Sequence, residues 1–97
     1  MILKVHKAFN GKKILAICDD NIINKYFEEG GLQLDLRSNF YKGKKIDKVS
    51  ILKEIKEAYI IHFVGDESVS FGIEQKLIDK ENIKKIKNIP YAHVLIF

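Results

Sequence analysis

The apolar segment Tyr59–Val64 is the feature of this chain that most constrains its fold. Its residues are β-formers interrupted only by His62, which is typical of a strand buried on both faces inside a sheet. Gly65 then permits a sharp turn, and Asp66 is placed to cap a helix over residues 66–78. A strand followed by a glycine and a helix N-terminus can hold an anion, but the negative charge of the Asp66 carboxylate would repel an anion at this position. We therefore expect a structural turn at Gly65.

Turn signals divide the first half of the chain. The pair Asn10-Gly11 predicts a hairpin that joins strands near Leu3–Ala8 and Ile14–Cys18. The pair Asp19-Asp20 then offers an N-cap, and the apolar residues after it follow a helical spacing. Gly30-Gly31 is placed to end that helix. The first half therefore reads as strand, strand and helix.

The second half alternates strands and helices. Leu32–Arg37 alternates as a strand with one solvated face, and Asp47 is placed to cap a second helix. Residues 83–86 are ambiguous between a short strand and a helical turn, and Pro90 stands at the start of a terminal strand over residues 89–97. About three helices against five or six strands, opening with a hairpin, predict an α+β fold. We expect a two-layer sandwich with a mixed sheet.

Length and composition bound the class of protein. The chain has 97 residues, of which 46% are hydrophobic and 31% are charged. This length favours a single domain over residues 1–97, and the composition is that of a soluble globular domain. Apolar runs stay far below the ~20 residues of a membrane span, and the start lacks a signal peptide's long apolar region. We therefore expect a cytoplasmic protein without a membrane partner.

Lysine dominates the basic residues. The formal net charge is +4, and Arg37 is the single arginine among seventeen basic residues. Lysine is a point charge that suits phosphate backbones, so the balance favours a nonspecific contact with a polyanion such as RNA. Abundant Lys, Ile and Glu are also typical of the heat-adapted proteome of a thermophile, which alone would explain the charge.

The loop at residues 38–45, with the residues just after it, carries the strongest candidate for a partner site. An aromatic pair beside a glycine and lysines can stack on an unpaired base while the ammonium groups meet phosphates. The alternatives are that the aromatic pair anchors the loop on the core and that the lysines form a solvated face. The predicted RNA-binding residues are Phe40, Tyr41, Lys42, Lys44, Lys45 and Lys48.

The single cysteine, Cys18, excludes an internal disulfide. It lies in an apolar strand without an adjacent cation, so we expect a buried, inert thiol rather than a nucleophile. An alternative is a pocket at one end of the sheet, where Cys18 and Asp19 would meet His93 beside the Gly65-Asp66 turn. No metal-ligating spacing or nucleotide fingerprint occurs, so neither a metal nor a cofactor is expected.

Five short segments together resemble a small archaeal family catalogued as domain of unknown function 424. They are Ala16-Ile17-Cys18-Asp19, Glu29-Gly30-Gly31-Leu32, Phe40-Tyr41-Lys42-Gly43, Val64-Gly65-Asp66 and Ile89-Pro90. The resemblance spans nearly the whole chain and implies a stand-alone cytosolic archaeal protein with an α+β fold and no assigned activity. The family pattern has histidine directly after the proline, whereas Tyr91 and Ala92 precede His93 here, and His62 stands in place of asparagine.

Three classes of function fit these observations. The first is a non-enzymatic protein that contacts RNA or a ribonucleoprotein such as the ribosome through its lysine-bearing loops. The second is a small enzyme or ligand-binding domain that uses the pocket around Cys18 and His93. The third is a protein-interaction subunit, including a homodimer that pairs through an edge strand. Co-purified RNA would favour the first class, and perturbed titration of His93 the second.

Overall fold

The computed structural model describes residues 1–8 and 11–96 and shows an α+β fold built on a mixed six-stranded sheet. The strand order across this sheet is β5-β1-β2-β6-β8-β7, and β3 and β4 form a separate two-stranded sheet. The strands are β1 (Ile2–Lys7), β2 (Lys13–Cys18), β3 (Tyr26–Glu29), β4 (Leu32–Asp35), β5 (Lys44–Lys45), β6 (Ala58–Val64), β7 (Lys84–Ile86) and β8 (Ile89–Leu95). The α-helices within these ranges are α1 (Lys48–Ile55) and α2 (Asp66–Glu74).

The predicted N-terminal hairpin and central strand are both confirmed. β1 pairs antiparallel with β2, and Leu3 lies opposite Ile17. Asn10, half of the turn signal, lies outside the described residues, as does Phe97 in the predicted terminal strand. β6 runs parallel to β2 on one side and antiparallel to β8 on the other. The apolar strand therefore lies inside the sheet, as its composition predicts.

Both helices cover one face of the sheet. Alternate residues of β2 and β6 point toward them, and Ile17 and Phe63 are fully buried there together with Ile51 of α1. Asp47 caps α1 as predicted, because its carboxylate accepts a hydrogen bond from the amide of Ser50 (2.8 Å). Val49, the first apolar residue of α1, is 65% exposed and contributes nothing to this core.

The prediction that Asp66 caps α2 is wrong, because Asp19 supplies the cap. The N-cap position is Gly65, which has no side chain and adopts a φ of 105°. The carboxylate of Asp19, at the end of the neighbouring strand β2, accepts hydrogen bonds from the amides of Glu67 (2.9 Å) and Ser68 (2.7 Å). A Cβ at position 65 would collide with this carboxylate, so glycine is required by packing as well as by φ.

The helix predicted between Asp19-Asp20 and Gly30-Gly31 is also wrong. A turn and strand β3 occupy this segment, and Gly30 and Gly31 form the two-residue loop to β4. Both glycines have positive φ (55° and 83°), as tight hairpin loops require. Neither carboxylate of the expected cap caps a helix here, since Asp19 caps α2 and Asp20 pairs with the N-terminal ammonium and Lys45. The protein therefore has two α-helices in the described ranges rather than about three.

The second face of the sheet carries a smaller core. The β3–β4 sheet and a 3-10 helix of one turn (Asn39–Tyr41) pack on this face. Leu34 and Leu36 are buried there against Val64 and Ile86. This cover reaches only part of the face, because Ile60 and His62 of β6 stay half-buried. The central strand is therefore fully covered on its helix face and only partly covered on the other, which leaves room there for a site.

Candidate functional site

Three histidines that are distant in sequence share the partly covered face of the sheet. His62 of β6 is the register partner of His93 of β8, and His62 also lies opposite Ala16 of β2. Ala16 in turn lies opposite Lys4 of β1. Residues in register point to the same side of a sheet. Lys4, His62 and His93 therefore stand in one row across four strands, and His6 lies two residues further along β1 on the same face.

The rings on this face form a continuous series of contacts. Phe40, from the 3-10 turn, stacks on His6 with ring centroids 4.6 Å apart and an interplanar angle of 10°. The rings of Phe40 and His62 make an edge-type contact with centroids 4.9 Å apart, and the ring centroids of His62 and His93 are 3.9 Å apart. Tyr91 continues the series at 5.9 Å from His93. Four elements that are remote in sequence thus bring five rings together.

Local bonds fix the 3-10 turn on the sheet. The Nε2–H of His6 donates to the carbonyl oxygen of Phe40 (2.9 Å), and the amide of Phe40 donates to the hydroxyl of Ser38 (3.0 Å). Gly43 then lets the backbone pass directly against β1, where a Cβ would collide with the carbonyl of Leu3. The position of Phe40 is therefore set by the fold and does not depend on a ligand.

A groove of about 320 Å³ lies over these rings, between the large sheet and β4. We call it the ring groove. Its volume is at the lower end of the range for small-ligand sites and accommodates one flat ring system. Polar groups on β4 form one wall, and the Gln33 side-chain amide makes no hydrogen bond to the described part of the chain. The lining residues are Gln33, Leu34, Asp35, Phe40, Tyr41, His62, Tyr91 and His93.

Burial favours the neutral form of three rings in the groove, those of His62, His93 and Tyr41. Burial lowers the pKa of His62 to about 4, and repulsion from protonated His93 and His6 adds to this shift. Partial burial and the nearby ammonium of Lys84 also lower the pKa of His93, although this side chain remains exposed. Burial raises the pKa of Tyr41 to about 12. The groove therefore presents uncharged, polarisable rings.

The structure distributes the six predicted RNA-binding residues over four places. Phe40 and Tyr41 line the ring groove. Lys42 and Lys44 line a depression of about 330 Å³ at the β1–β5 edge of the sheet together with Lys4, which sequence reasoning did not select. Lys44 is in register with Leu3 and therefore points to the helix face, away from the rings. Two lysines are engaged with other groups. The Lys45 ammonium lies 2.9 Å from the Asp20 carboxylate, and that of Lys48 lies 5.9 Å from the Phe71 ring.

The structure also separates the residues of the alternative pocket that the sequence suggests at one end of the sheet. Asp19 and Gly65 come together at the start of α2, where the Asp19 carboxylate occupies the position that an anion would take. Cys18 is buried as predicted, with 1% of its surface exposed, and burial raises the pKa of its thiol to about 12. Asp66 is exposed, and His93 belongs to the ring groove.

Sequence reasoning missed His62, Tyr91 and Gln33 as groove residues. His62 is the one polar residue in an apolar strand, and this interruption is the signal that marks a partly covered face. Tyr91 and His93 lie two residues apart in β8, so their side chains point to the same face of the sheet. Only the strand order brings these positions together. Within residues 1–8 and 11–96, no group of three His, Cys, Asp or Glu side chains is arranged to hold a metal. None of the helices in the same ranges has the length and apolarity to cross a membrane.

Comparison with known proteins gives a family and a fold. A family model described as a protein of unknown function, DUF424, matches residues 6–97. No curated protein matches the chain significantly. An uncharacterized conserved protein from Methanopyrus kandleri, known from its crystal structure, is similar in fold, with a TM-score of 0.76 and 22% identity. That similarity covers 97% of this chain and 90% of the other.

Proposed function

We propose that this chain, which belongs to the DUF424 family of proteins of unknown function, binds single-stranded RNA through the ring groove. The observation that carries the proposal is the series of neutral rings on the partly covered sheet face, with His62 and His93 only 3.9 Å apart. Unpaired bases stack on aromatic and histidine rings, and this contact tolerates any base because each has a π-face.

Charge around the groove supports an RNA strand rather than a free base. Lys4 and Lys42 line a depression at the β1–β5 edge of the sheet, and Lys4 points to the same face as the rings. Lys4 stands in the His62 row two strands away, which is roughly 10 Å at ~4.8 Å per strand. Lysine ammonium groups at this range can meet phosphates of the same strand while a base lies on the rings. The net charge of +4 favours such an encounter at low salt.

The wall of the groove supports contact with the edge of a base. The Gln33 amide offers two donors and an acceptor at the side of the ring floor. The Asp35 carboxylate is already held by Arg37, with Nε–Oδ1 at 2.8 Å and Nη2–Oδ2 at 3.1 Å. We assign edge contacts to Gln33 and a wall-forming role to Asp35.

A pair of matched variants on β8 tests the proposal. His93→Ala removes an exposed ring that lines the groove, and Leu95→Ala removes a 53% exposed side chain from the same strand and the same face outside it. Affinity for a 12-nucleotide single-stranded RNA is measured by fluorescence anisotropy at low salt. We expect His93→Ala to weaken binding about 5- to 150-fold, the effect of losing one stacked base (~1–3 kcal/mol).

Leu95→Ala should leave RNA affinity within twofold of wild type. Both variants should melt close to the wild-type temperature, since neither residue is in the core. Absence of RNA binding by the wild type, or equal loss of affinity in both variants, would overturn the proposal.

The paired imidazoles also favour a second candidate function, a small-ligand site with acid–base chemistry. His62, with its pKa lowered to about 4, is neutral but only a weak base at pH 7, so His93 beside it in the groove is the candidate proton acceptor. Mass spectrometry of small molecules released by denaturing the native protein tests this candidate. A stoichiometric compound lost in His93→Ala would favour it, and release of oligonucleotides alone would favour RNA.

A further inference from the structure

A second depression lies beyond the rings of Tyr91 and His93, which it shares with the ring groove. We call it the polar depression. It has a volume of about 500 Å³ and lies where β7 begins against β8, just after a 3-10 helix of one turn (Lys80–Asn82). Its remaining lining residues are Glu81, Asn82, Lys84 and Ala92. A ligand that fills both spaces must pass over the two shared rings.

The two spaces differ in chemistry. Rings form the floor of the first, whereas the second presents a carboxylate from Glu81, an amide from Asn82 and an ammonium from Lys84. Within the described residues these three side chains make no hydrogen bond or ion pair with the rest of the chain. The carboxylate and the amide oxygen accept hydrogen bonds from hydroxyl groups, and the ammonium attracts an anion. The matching ligand is flat at one end and carries hydroxyls and an anion at the other.

The edge of β8 adds further binding groups to the polar depression. β7 pairs with β8 only from Ile89 to Tyr91. From Ala92 to Leu95 the backbone of β8 therefore has no strand partner on that side, in the part of the chain that the structure describes. Unpaired backbone groups at a sheet edge are donors and acceptors for an incoming ligand.

We infer that the polar depression holds the ribose and phosphate of the nucleotide whose base lies in the ring groove, and that it selects RNA over DNA. In this assignment Glu81 and Asn82 bind the 2′-hydroxyl, and Lys84 binds the phosphate. The 2′-hydroxyl, both donor and acceptor, is the group by which a protein distinguishes the two polymers. The inference rests on the proposed function, because it takes the base in the ring groove as given.

The test compares two oligonucleotides of one sequence, a 12-nucleotide single-stranded RNA and its DNA counterpart with deoxyuridine in place of thymidine. Wild type should bind the RNA at least about fivefold more tightly. Glu81→Gln combined with Asn82→Ala should bring the RNA-to-DNA affinity ratio close to one. Asp79→Asn is the matched control, since its side chain adjoins the same turn, makes no capping bond and does not line the depression. It should preserve the ratio.

Removing the Glu81 carboxylate should strengthen the binding of RNA and of DNA alike, because both are polyanions. The RNA-to-DNA affinity ratio, rather than either affinity alone, is therefore the decisive readout. Equal wild-type affinities for RNA and DNA, both weakened by His93→Ala, would overturn the sugar assignment and leave the proposed function intact. A wild-type preference for RNA that survives the double substitution would overturn the assignment to Glu81 and Asn82. Binding of neither oligonucleotide at low salt would overturn the proposed function itself.

Discussion

Asp19 caps helix α2 through Ser68, a residue 49 positions away in the sequence. Its carboxylate oxygen Oδ1 accepts hydrogen bonds from both the amide and the hydroxyl of Ser68, each at 2.7 Å. Asp19 and Ser68 are both buried, with 6% and 0% of their surface exposed. This cap ties the end of β2 to the start of α2, and it fixes the turn at Gly65 between them.

The cap predicts a large difference between two neighbouring aspartates. Asp19→Ala should lower the free energy of unfolding by about 2–4 kcal/mol, since it removes an N-cap and leaves buried donors unpaired. Asp66→Ala should cost less than about 1 kcal/mol, because Asp66 is exposed and contributes only through the helix dipole. Urea unfolding at pH 7 measures both. Equal costs for the two substitutions would contradict the assignment of the cap to Asp19.

The buried imidazole of His62 predicts a loss of stability in mild acid. Its pKa is lowered in the folded protein to about 4, against 6.5 in the unfolded chain. Below pH 6.5 the unfolded chain therefore takes up a proton that the folded protein does not, and stability falls until about pH 4. His62→Asn removes this contribution. The unfolding free energy of wild type relative to His62→Asn should decrease by about 1–3 kcal/mol between pH 7 and pH 4.

Carboxylates that titrate in the same range cancel in that difference, because both proteins contain them. A difference that stays constant from pH 7 to pH 4 would show that the pKa of His62 is not lowered on folding. It would also remove the argument that the ring groove presents a neutral imidazole at this position.

Cys18 is expected to stay unreactive in the native protein. Burial, with the neighbouring charges of Asp19 and Asp20, raises the pKa of its thiol to about 12, so the reactive thiolate is scarce at neutral pH. A thiol reagent at pH 7.5 should label the protein only in denaturant. Mass spectrometry of samples with and without denaturant measures this. Rapid native labelling would restore Cys18 as a candidate nucleophile.

Charge reversal beside the ring groove should weaken RNA binding and reduce its dependence on salt. We expect Lys4→Glu with Lys42→Glu to lower affinity across all sequences, because lysine–phosphate contacts carry little base information. Loss of two phosphate contacts should reduce the log–log salt slope by about 1.4, at ~0.7 per single-strand phosphate. Anisotropy titrations from 50 to 300 mM salt provide the slope.

The matched control for this charge reversal is Lys53→Glu with Lys56→Glu. This variant changes the net charge by the same amount. Lys53 lies in α1 and Lys56 directly follows it, and α1 covers the opposite face of the sheet. If both double variants lose the same affinity and the same slope, the lysines act through net charge alone and not through contacts beside the groove.

Local signals predicted most of the fold. The hairpin of β1 and β2, the central β6 and the Asp47 cap of α1 follow from alternation, an apolar run and cap chemistry within a few residues. The segment before Gly30-Gly31 could not be settled this way, because a glycine pair fits both a helix end and a two-residue hairpin loop. The strand β3 instead pairs with β4, and Asp19, half of the expected cap, caps α2, a contact remote in sequence.

The candidate site was less accessible from sequence. The aromatic pair Phe40 and Tyr41 was found from its neighbours, and the structure places both rings in the groove. The contact between His62 and His93 depends on β6 and β8 being adjacent in the sheet, which no local spacing encodes. The lysines were grouped by sequence, whereas the fold directs Lys45 to Asp20 and brings Lys4 beside Lys42.

An NMR titration of the native protein with a single-stranded 12-nucleotide RNA at low salt tests directly whether the ring groove binds RNA. It reports on each residue separately, so it locates the bound RNA on one face of the sheet. RNA bound in the ring groove should shift the imidazole signals of His62 and His93 and the backbone amides of Phe40 and Tyr91, and should leave α1 and α2 unaffected. Shifts confined to the two helices, or none at any RNA concentration, would contradict binding in the ring groove.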